Sequence, residues 1–389
     1  MRIRPFAVEQ WMNEYETRCD WNLAETCVES LTVGELLDMA GLAGSILDEL
    51  LPMKLTYGAI EGSGRLRDNV AALYANQSTE NVLITHGASG ANQLAYLTLV
   101  EPGDRVVSVL PTYQQHYSIP ESIGADVRIL RLREDNGFLP DLDELREVSG
   151  GAAKLIAIAN PNNPTGALMD QALLEQVAAI ADACGAYLLC DEVYRGTDQD
   201  GTGISASVAD VYAGGISTGS MSKAFSLAGL RLGWITAAAD VIHAITIHRD
   251  YNTISVGMLD DLFASIALEH KDQILRRNLA IVRNNLAVLD AWVANEPCIT
   301  YVKPRSGTTA LLRYDLDLPS RDLCVRLVEE TGVMLTPGSA LDMEGYLRIG
   351  YANRLDVLRE GLSRLSDFLR CALTSGSHPK ASSRRTMGS

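Results

Sequence analysis

Long hydrophobic runs are missing from this 389-residue chain. No stretch approaches the roughly 20 apolar residues that a membrane helix needs. The opening Met1-Arg2-Ile3-Arg4-Pro5-Phe6 lacks the apolar core of a secretory signal peptide, so a cytoplasmic protein without a membrane anchor is expected. A basic stripe is missing as well. With 33 Lys and Arg against 49 Asp and Glu, the formal charge is −16. That balance argues against nucleic-acid binding and serves solubility. The seven cysteines are an odd number without metal-ligand spacing, and several sit in apolar patterns, so they read as reduced core thiols. No short-period repeat is present, which excludes a solenoid.

What the chain does have suits an α/β protein. It carries 32 glycines and is 47% hydrophobic. Its length exceeds what one core usually serves, so a large domain and a smaller one are expected. Strand-like runs alternate with helical stretches between about 80 and 240, the pattern of a mostly parallel sheet sandwiched by helices. The expected division is an N-terminal segment 1–45 joining the small domain, a large domain 46–284, a small C-terminal α/β domain 285–373 and a polar, disordered tail 374–389.

Three segments carry chemistry. Leu155-Ile156-Ala157-Ile158-Ala159 reads as a buried strand running into Asn160-Pro161-Asn162-Asn163-Pro164-Thr165-Gly166. In open α/β sheets the carboxyl end of a strand is where ligands bind, and an asparagine there can donate to a ring oxygen. Ala186-Tyr187-Leu188-Leu189-Cys190 delivers Asp191 in the same way, with Tyr194 three residues later. A carboxylate so placed can pair with a protonated pyridine nitrogen, or can simply cap a helix. Then Thr218-Gly219-Ser220-Met221-Ser222-Lys223 precedes Gly229-Leu230-Arg231-Leu232-Gly233-Trp234. A lysine amine can condense with an aldehyde if burial or nearby cations lower its pKa. The hydroxyls of Ser220 and Ser222 and the guanidinium of Arg231 suit a phosphate.

Together these motifs resemble the class I/II aminotransferases, fold type I enzymes dependent on pyridoxal 5'-phosphate, over roughly residues 20 to 370. The resemblance implies that Lys223 forms the Schiff base with the cofactor and shuttles the proton, and that Asp191 binds the pyridine nitrogen. It implies that Asn163 and Tyr194 hydrogen-bond the ring oxygen, while Ser220, Ser222 and Arg231 hold the phosphate. The turn His86-Gly87-Ala88-Ser89-Gly90 opens a helix, and free N–H groups there favour an anion. Ala88 and Ser89 match the family's phosphate contacts at that turn. His86 departs from the expected small or amide residue and is read as a core histidine. Tyr113 matches the position that stacks an aromatic ring on the cofactor. Tyr57 matches a residue that reaches a neighbouring subunit's site, which implies a homodimer with shared active sites. Arg348, in the strand-like Gly345–Tyr351, matches the arginine that binds the substrate α-carboxylate, and Asn163 lies on the substrate as well.

The implied activity moves the α-amino group of an amino acid to a 2-oxo acid. One departure stands out. Where family members carry a glycine-rich turn, this chain has Asn22-Leu23-Ala24-Glu25-Thr26-Cys27-Val28-Glu29. Glu25 could select a basic side chain, or both glutamates could be solvated loop acids. The stretch Ile247–Ser255 also resembles the capreomycidine synthase branch, which cyclises a hydroxylated arginine, so a lyase or cyclase acting on a basic amino acid is the alternative. Members of the family that act as sensors are fused to a winged helix, for which this chain shows no basic DNA-reading segment.

Overall fold

The structure, a computed structural model, describes residues 2–375. Its first strand, β1 (Trp21–Asn22), is followed by the seven strands of the main sheet: β2 (Val82–Thr85), β3 (Arg105–Leu110), β4 (Asp126–Arg131), β5 (Leu155–Ala159), β6 (Tyr187–Asp191), β7 (Gly215–Ser220) and β8 (Gly233–Thr236). Their spatial order is β2-β8-β7-β6-β5-β3-β4. All neighbours run parallel except β8, which is antiparallel to β2 and β7. β5, β2 and most of β3 and β6 are buried along their length. Such near-continuous apolar strands belong to a sheet covered on both faces. The strand expected at 155–159 is present, and the one expected over 345–351 spans Tyr346–Gly350.

Chain connections leave β3 toward β4 and β5 toward β6, in opposite directions across the sheet. The carboxyl ends of β3 and β5 therefore flank a topological switch point, where a crevice opens. Tyr113 follows β3 and Asn163 follows β5.

Beyond the main sheet come β9 (Ile299–Tyr301), β10 (Thr309–Tyr314), β11 (Val333–Met334), β12 (Thr336–Pro337) and β13 (Tyr346–Gly350). Four of these form a sheet in the order β12-β13-β10-β9, and β11 pairs in parallel with β1. One hydrophobic core joins Trp11, Leu23 and Val28 from the N-terminal segment to residues between Val282 and Leu369. Gly350 is required for this assembly. A Cβ there would lie 1.7 Å from the Glu25 carbonyl oxygen, because the N-terminal segment passes directly over the strand end.

The helix Lys271–Val293 runs through position 285. Ile274 belongs to the core beneath β2 and β8, whereas Val282, Leu286 and Leu289 belong to the core shared with the N-terminal segment. The helix also ties three segments together. Arg277 donates to the Glu29 carbonyl at 3.0 Å, Asn278 to the Ala224 carbonyl at 2.7 Å, and Asn285 to the carbonyls of Tyr351 and Asn353 at 2.9 and 2.7 Å. The last helix, Leu355–Ser375, takes in Thr374 and Ser375 of the expected tail. Residues 376–389 lie outside the described residues. Among those described, no helix is long and apolar enough to cross a membrane.

Candidate active site

Several helices begin with a side chain that caps their free N–H groups. Asp170 accepts from Leu173, Asp141 from Asp143 and Glu144, and Thr32 forms a capping box with Glu35. The helix Gly87–Leu99 begins differently: His86 at its N-cap makes no side-chain cap bond. Its first turn faces a cavity of about 470 Å³ whose walls include Ala88, Ser89, Ser220, Ser222 and Arg231. Free N–H groups, two hydroxyls and a guanidinium thus converge on one anion-binding corner. Gly233 permits the approach, since a Cβ there would sit 2.4 Å from the Gly87 carbonyl carbon. His86 itself is exposed, which corrects the expectation of a core histidine. The turn leaves β2 at its end, so the side chain after Thr85 points away from the packed interior.

One turn deeper along this helix, Asn92 reaches Asp191 at the end of β6. Its amide donates to Asp191 Oδ2 at 3.0 Å and its carbonyl accepts from Thr218 Oγ1 at 2.8 Å. The Val193 N–H donates to Asp191 Oδ1 at 3.2 Å. His116 Nε2 lies 3.6 Å from the same carboxylate, and its Nδ1 lies 3.0 Å from the Tyr96 hydroxyl. Asp191 is thereby held rigidly at the cavity wall while buried.

In the loop after β5, two of three asparagines are consumed locally. Asn160 exchanges bonds with the Met169 backbone, and Asn162 accepts from Thr165 and donates to the Pro111 carbonyl. Asn163 is left for the cavity, where its Oδ1 lies 3.5 Å from Arg348 Nη1.

Lys223 is half-buried and lines the cavity, with Nζ 2.5 Å from Thr26 Oγ1 and 3.5 Å from Cys27 Sγ. Burial pulls its pKa down, but Cys27, Tyr194 and Glu25 push it up, and the net direction is upward. At neutral pH the Cys27 thiol, pushed up to about 11 by burial, is uncharged. The Tyr194 phenol is raised by burial too, so Glu25 is the anion that acts on the lysine. In the free amine the charge of Glu25 therefore opposes the lowering that burial causes and that the sequence led one to expect. Tyr194 is buried, and its hydroxyl has no hydrogen-bond partner.

Arg348 rises from the middle of β13 and is 3% exposed. Its Nη2 donates to Thr336 Oγ1 at 3.1 Å and the Ala24 carbonyl at 3.3 Å, and its Nε has no partner. Among the described residues no carboxylate lies within ion-pair distance of it. A buried guanidinium without a counter-ion is costly, and an incoming carboxylate would relieve it. Burial lowers its pKa.

Glu25 turns its Oε1 back onto the N–H groups of Thr26 and Cys27, at 2.7 and 2.8 Å. Burial alone would raise its pKa, but Lys223 and these N–H groups outweigh it and the net direction is downward. Glu29 lies outside the cavity, 4.0 Å from Arg277. Tyr113 lines the cavity, with its ring centroid 4.8 Å from that of Phe6 and its hydroxyl donating to Glu9 Oε1 at 3.1 Å. Tyr57 is 75% exposed and does not line this chain's cavity. The sequence reading missed Asn92, His116, Thr26 and Glu9. One of these carries a signal, since Asn92 follows Ser89 by one turn of the helix Gly87–Leu99 and so shares its face.

The fold, with its mixed, mostly parallel sheet and a cavity at the strand ends, joins an anion corner to a buried aspartate and a lysine. The family model for aminotransferase class I and II matches residues 42–365, and the chain belongs to that family. It is an enzyme of the pyridoxal 5'-phosphate-dependent class, and that phosphate ester of a pyridine aldehyde is its cofactor. Capreomycidine synthase of Streptomyces vinaceus is 33% identical over 382 residues, covering 97% of this chain and 96% of the relative. An aspartate aminotransferase of Thermotoga maritima is 27% identical over 335 residues, 81% of this chain and 84% of its own. Among crystal structures, a PLP-dependent aminotransferase from Streptococcus suis matches with a TM-score of 0.93 at 42% identity, covering 96% and 99% of the two chains. The PLP-dependent cyclase OrfR matches at 0.88 and 28% identity, covering 95% and 98%.

The cavity fits this cofactor in its donor set. A phosphate suits the uncapped helix terminus with its hydroxyls and guanidinium. A protonated ring nitrogen suits Asp191, and the unpartnered Tyr194 hydroxyl suits a ring oxygen.

Proposed function

We propose that the chain is an aminotransferase that moves the α-amino group of an amino acid to a 2-oxo acid, with Lys223 as its Schiff-base residue. The observation that carries the reading is that Lys223 and Arg348 open onto one cavity, and that among the described residues Arg348 Nε has no partner. When bound there, the cofactor supplies an aldehyde carbon for amines and a ring that accepts the electron pair left at the substrate α-carbon. Ser220, Ser222, Arg231 and the N–H groups of Ala88 and Ser89 hold its phosphate. Asp191 keeps the ring nitrogen protonated, oriented by Asn92 and His116. Asn163 and Tyr194 donate to the ring oxygen, and the Tyr113 ring covers the ring face.

Arg348 binds the substrate carboxylate by a bidentate fork, which fixes the α-carbon with respect to Lys223. Once free, the Lys223 amine would take the α-proton on its Nζ and return it two bonds away, across the substrate nitrogen. The Thr26 hydroxyl holds that amine in place. Tyr57, on an exposed surface with Leu47, Leu51 and Leu55 at 60%, 79% and 78% exposure, reaches the cavity of a second copy in a homodimer. Six cysteines, Cys19, Cys27, Cys184, Cys190, Cys298 and Cys324, carry no disulfide, in keeping with a reducing cytoplasm.

A second reading, a lyase or cyclase acting on a basic, hydroxylated amino acid, is favoured by the likeness to capreomycidine synthase over nearly the whole chain and by the match to a PLP-dependent cyclase. One experiment separates the two. The loaded protein is offered single amino acids without a 2-oxo acid, and cofactor and product are identified by mass spectrometry. Stoichiometric conversion of the cofactor to its amine form with a matching 2-oxo acid supports transamination. Catalytic consumption of the amino acid with the cofactor unchanged supports the second reading and overturns the first.

A further inference from the structure

Resting on the reading that this cavity takes an amino acid, we infer that Glu9 and Glu16, together with Glu25, select a substrate whose side chain ends in a cation. The cavity carries both signs of charge. Among the described residues, no carboxylate lies within ion-pair distance of Arg348 on β13. The first helix, Ala7–Tyr15, and the turn that follows contribute Glu9 and Glu16 to the same cavity lining, and the charges of Glu9 and Glu25 act on Arg348. Glu25 comes from the segment after β1.

Among the described residues, none of these three carboxylates has a Lys, Arg or His partner within ion-pair distance. This holds in a chain where Glu14, Glu29, Glu49, Glu61, Glu121, Glu134, Glu144 and Glu269 all do. Glu9 is instead positioned by the Tyr113 hydroxyl at 3.1 Å, and Glu25 by two backbone N–H groups. Glu16 feels the other two. Burial raises its pKa, and the negative charges of Glu25 and Glu9 raise it further, the mark of like charges gathered in one lining.

The acids alone would be a solvated helix face. The buried groups opening onto the same cavity make them a recognition element: Arg348 Nε and the Tyr194 hydroxyl, 3% and 2% exposed as residues, have no hydrogen-bond partner among the described residues. An amino acid held by its carboxylate at Arg348, with its amine toward the cofactor aldehyde beside Lys223, has its side chain left to fill the remaining wall. A guanidinium or ammonium reaching that wall meets three carboxylates. A neutral side chain leaves them mutually repelling, and an acidic one adds to the repulsion.

The test compares arginine with citrulline, its uncharged isostere, on the loaded enzyme. The amino-acid dependence of the single-turnover absorbance change gives a dissociation constant separately from the maximal rate. Wild type is expected to bind arginine about tenfold or more tighter than citrulline, with the ratio shrinking as sodium chloride is raised. The double variant Glu9→Gln/Glu16→Gln is expected to cut that ratio by about tenfold. Both positions are exposed, so the fold tolerates the change, and Glu16→Lys provides an independent arm that should shift preference toward glutamate. A wild-type ratio near one, or a ratio unmoved in both variants, overturns the inference. If citrulline and norleucine perturb the spectrum while arginine does not, the inference alone fails. If no amino acid of any charge perturbs it, the functional reading fails with it.

Discussion

The two sides of the cavity are built in different ways. The cofactor side is made from the ends of adjacent strands: Asn163 after β5, Asp191 at the end of β6, Ser220 at the end of β7 and Lys223 three residues beyond. These strands neighbour one another in the sheet, so each motif is delivered by the same device, a buried strand whose carboxyl end opens on the cavity. The substrate side is made from remote parts. Glu9 and Glu16 come from the first helix region, Glu25 and Thr26 from the segment after β1, and Arg348 from β13, more than 300 residues away. Long-range contacts alone set its geometry. The first kind of construction conserves a binding mode, and the second allows a substrate to be changed without touching the cofactor.

Substitutions can break this comparison. The largest effect is expected on the cofactor side. Lys223→Ala should abolish the absorbance of lysine-bound cofactor and cut kcat by about 10²–10⁴, and an unchanged spectrum would show the lysine to be wrongly assigned. Next, Arg348→Ala should raise KM for the amino acid by about 10²-fold with the cofactor retained, the cost of removing one partner of a buried charge pair. Release of the cofactor instead would erase the distinction between the two sides.

A smaller effect is expected at Gly350. Gly350→Ala must push the Glu25 segment off the strand end, costing about 1–3 kcal/mol in unfolding free energy. It should alter substrate affinity while the cofactor spectrum stays as it was. Smallest is Glu25→Gln. The Glu25 pKa is depressed in the folded protein, so its stabilisation is present above the unfolded carboxylate range and is lost as pH falls through the folded value. Wild type should exceed the variant by about 1 kcal/mol in unfolding free energy at neutral pH, with the difference vanishing in acid. A constant difference across pH would remove the charge from the explanation.

The same contrast explains what could be read from the sequence. Strands β2, β3, β5 and β6 were legible because continuous apolar runs bounded by turn residues have few other readings. Asp191 was legible because it ends such a run, and Lys223 because small hydroxyl residues frame it and an arginine follows eight residues later. Thr26 was not, since nothing local marks a threonine that will meet a lysine 197 positions later. His86 and His116 illustrate the limit. The histidine in the motif is exposed, and the buried one that reaches Asp191 lies in a helix whose pattern gave no sign of it.

The helix Lys271–Val293 links the two sides, with Asn278 bonded beside Lys223 and Asn285 bonded just past Arg348. These asparagines are seven residues apart, so they share a face and stand about 10 Å apart along the axis. The helix is thus a ruler laid between Lys223 and Arg348. Its graduations are single residues. Removing one between the two asparagines would shorten the scale by about 1.5 Å and turn one mark about 100° from the other. The spacing needed to hold a small molecule across two separately packed cores is therefore written in the length of a helix that touches neither cofactor nor substrate.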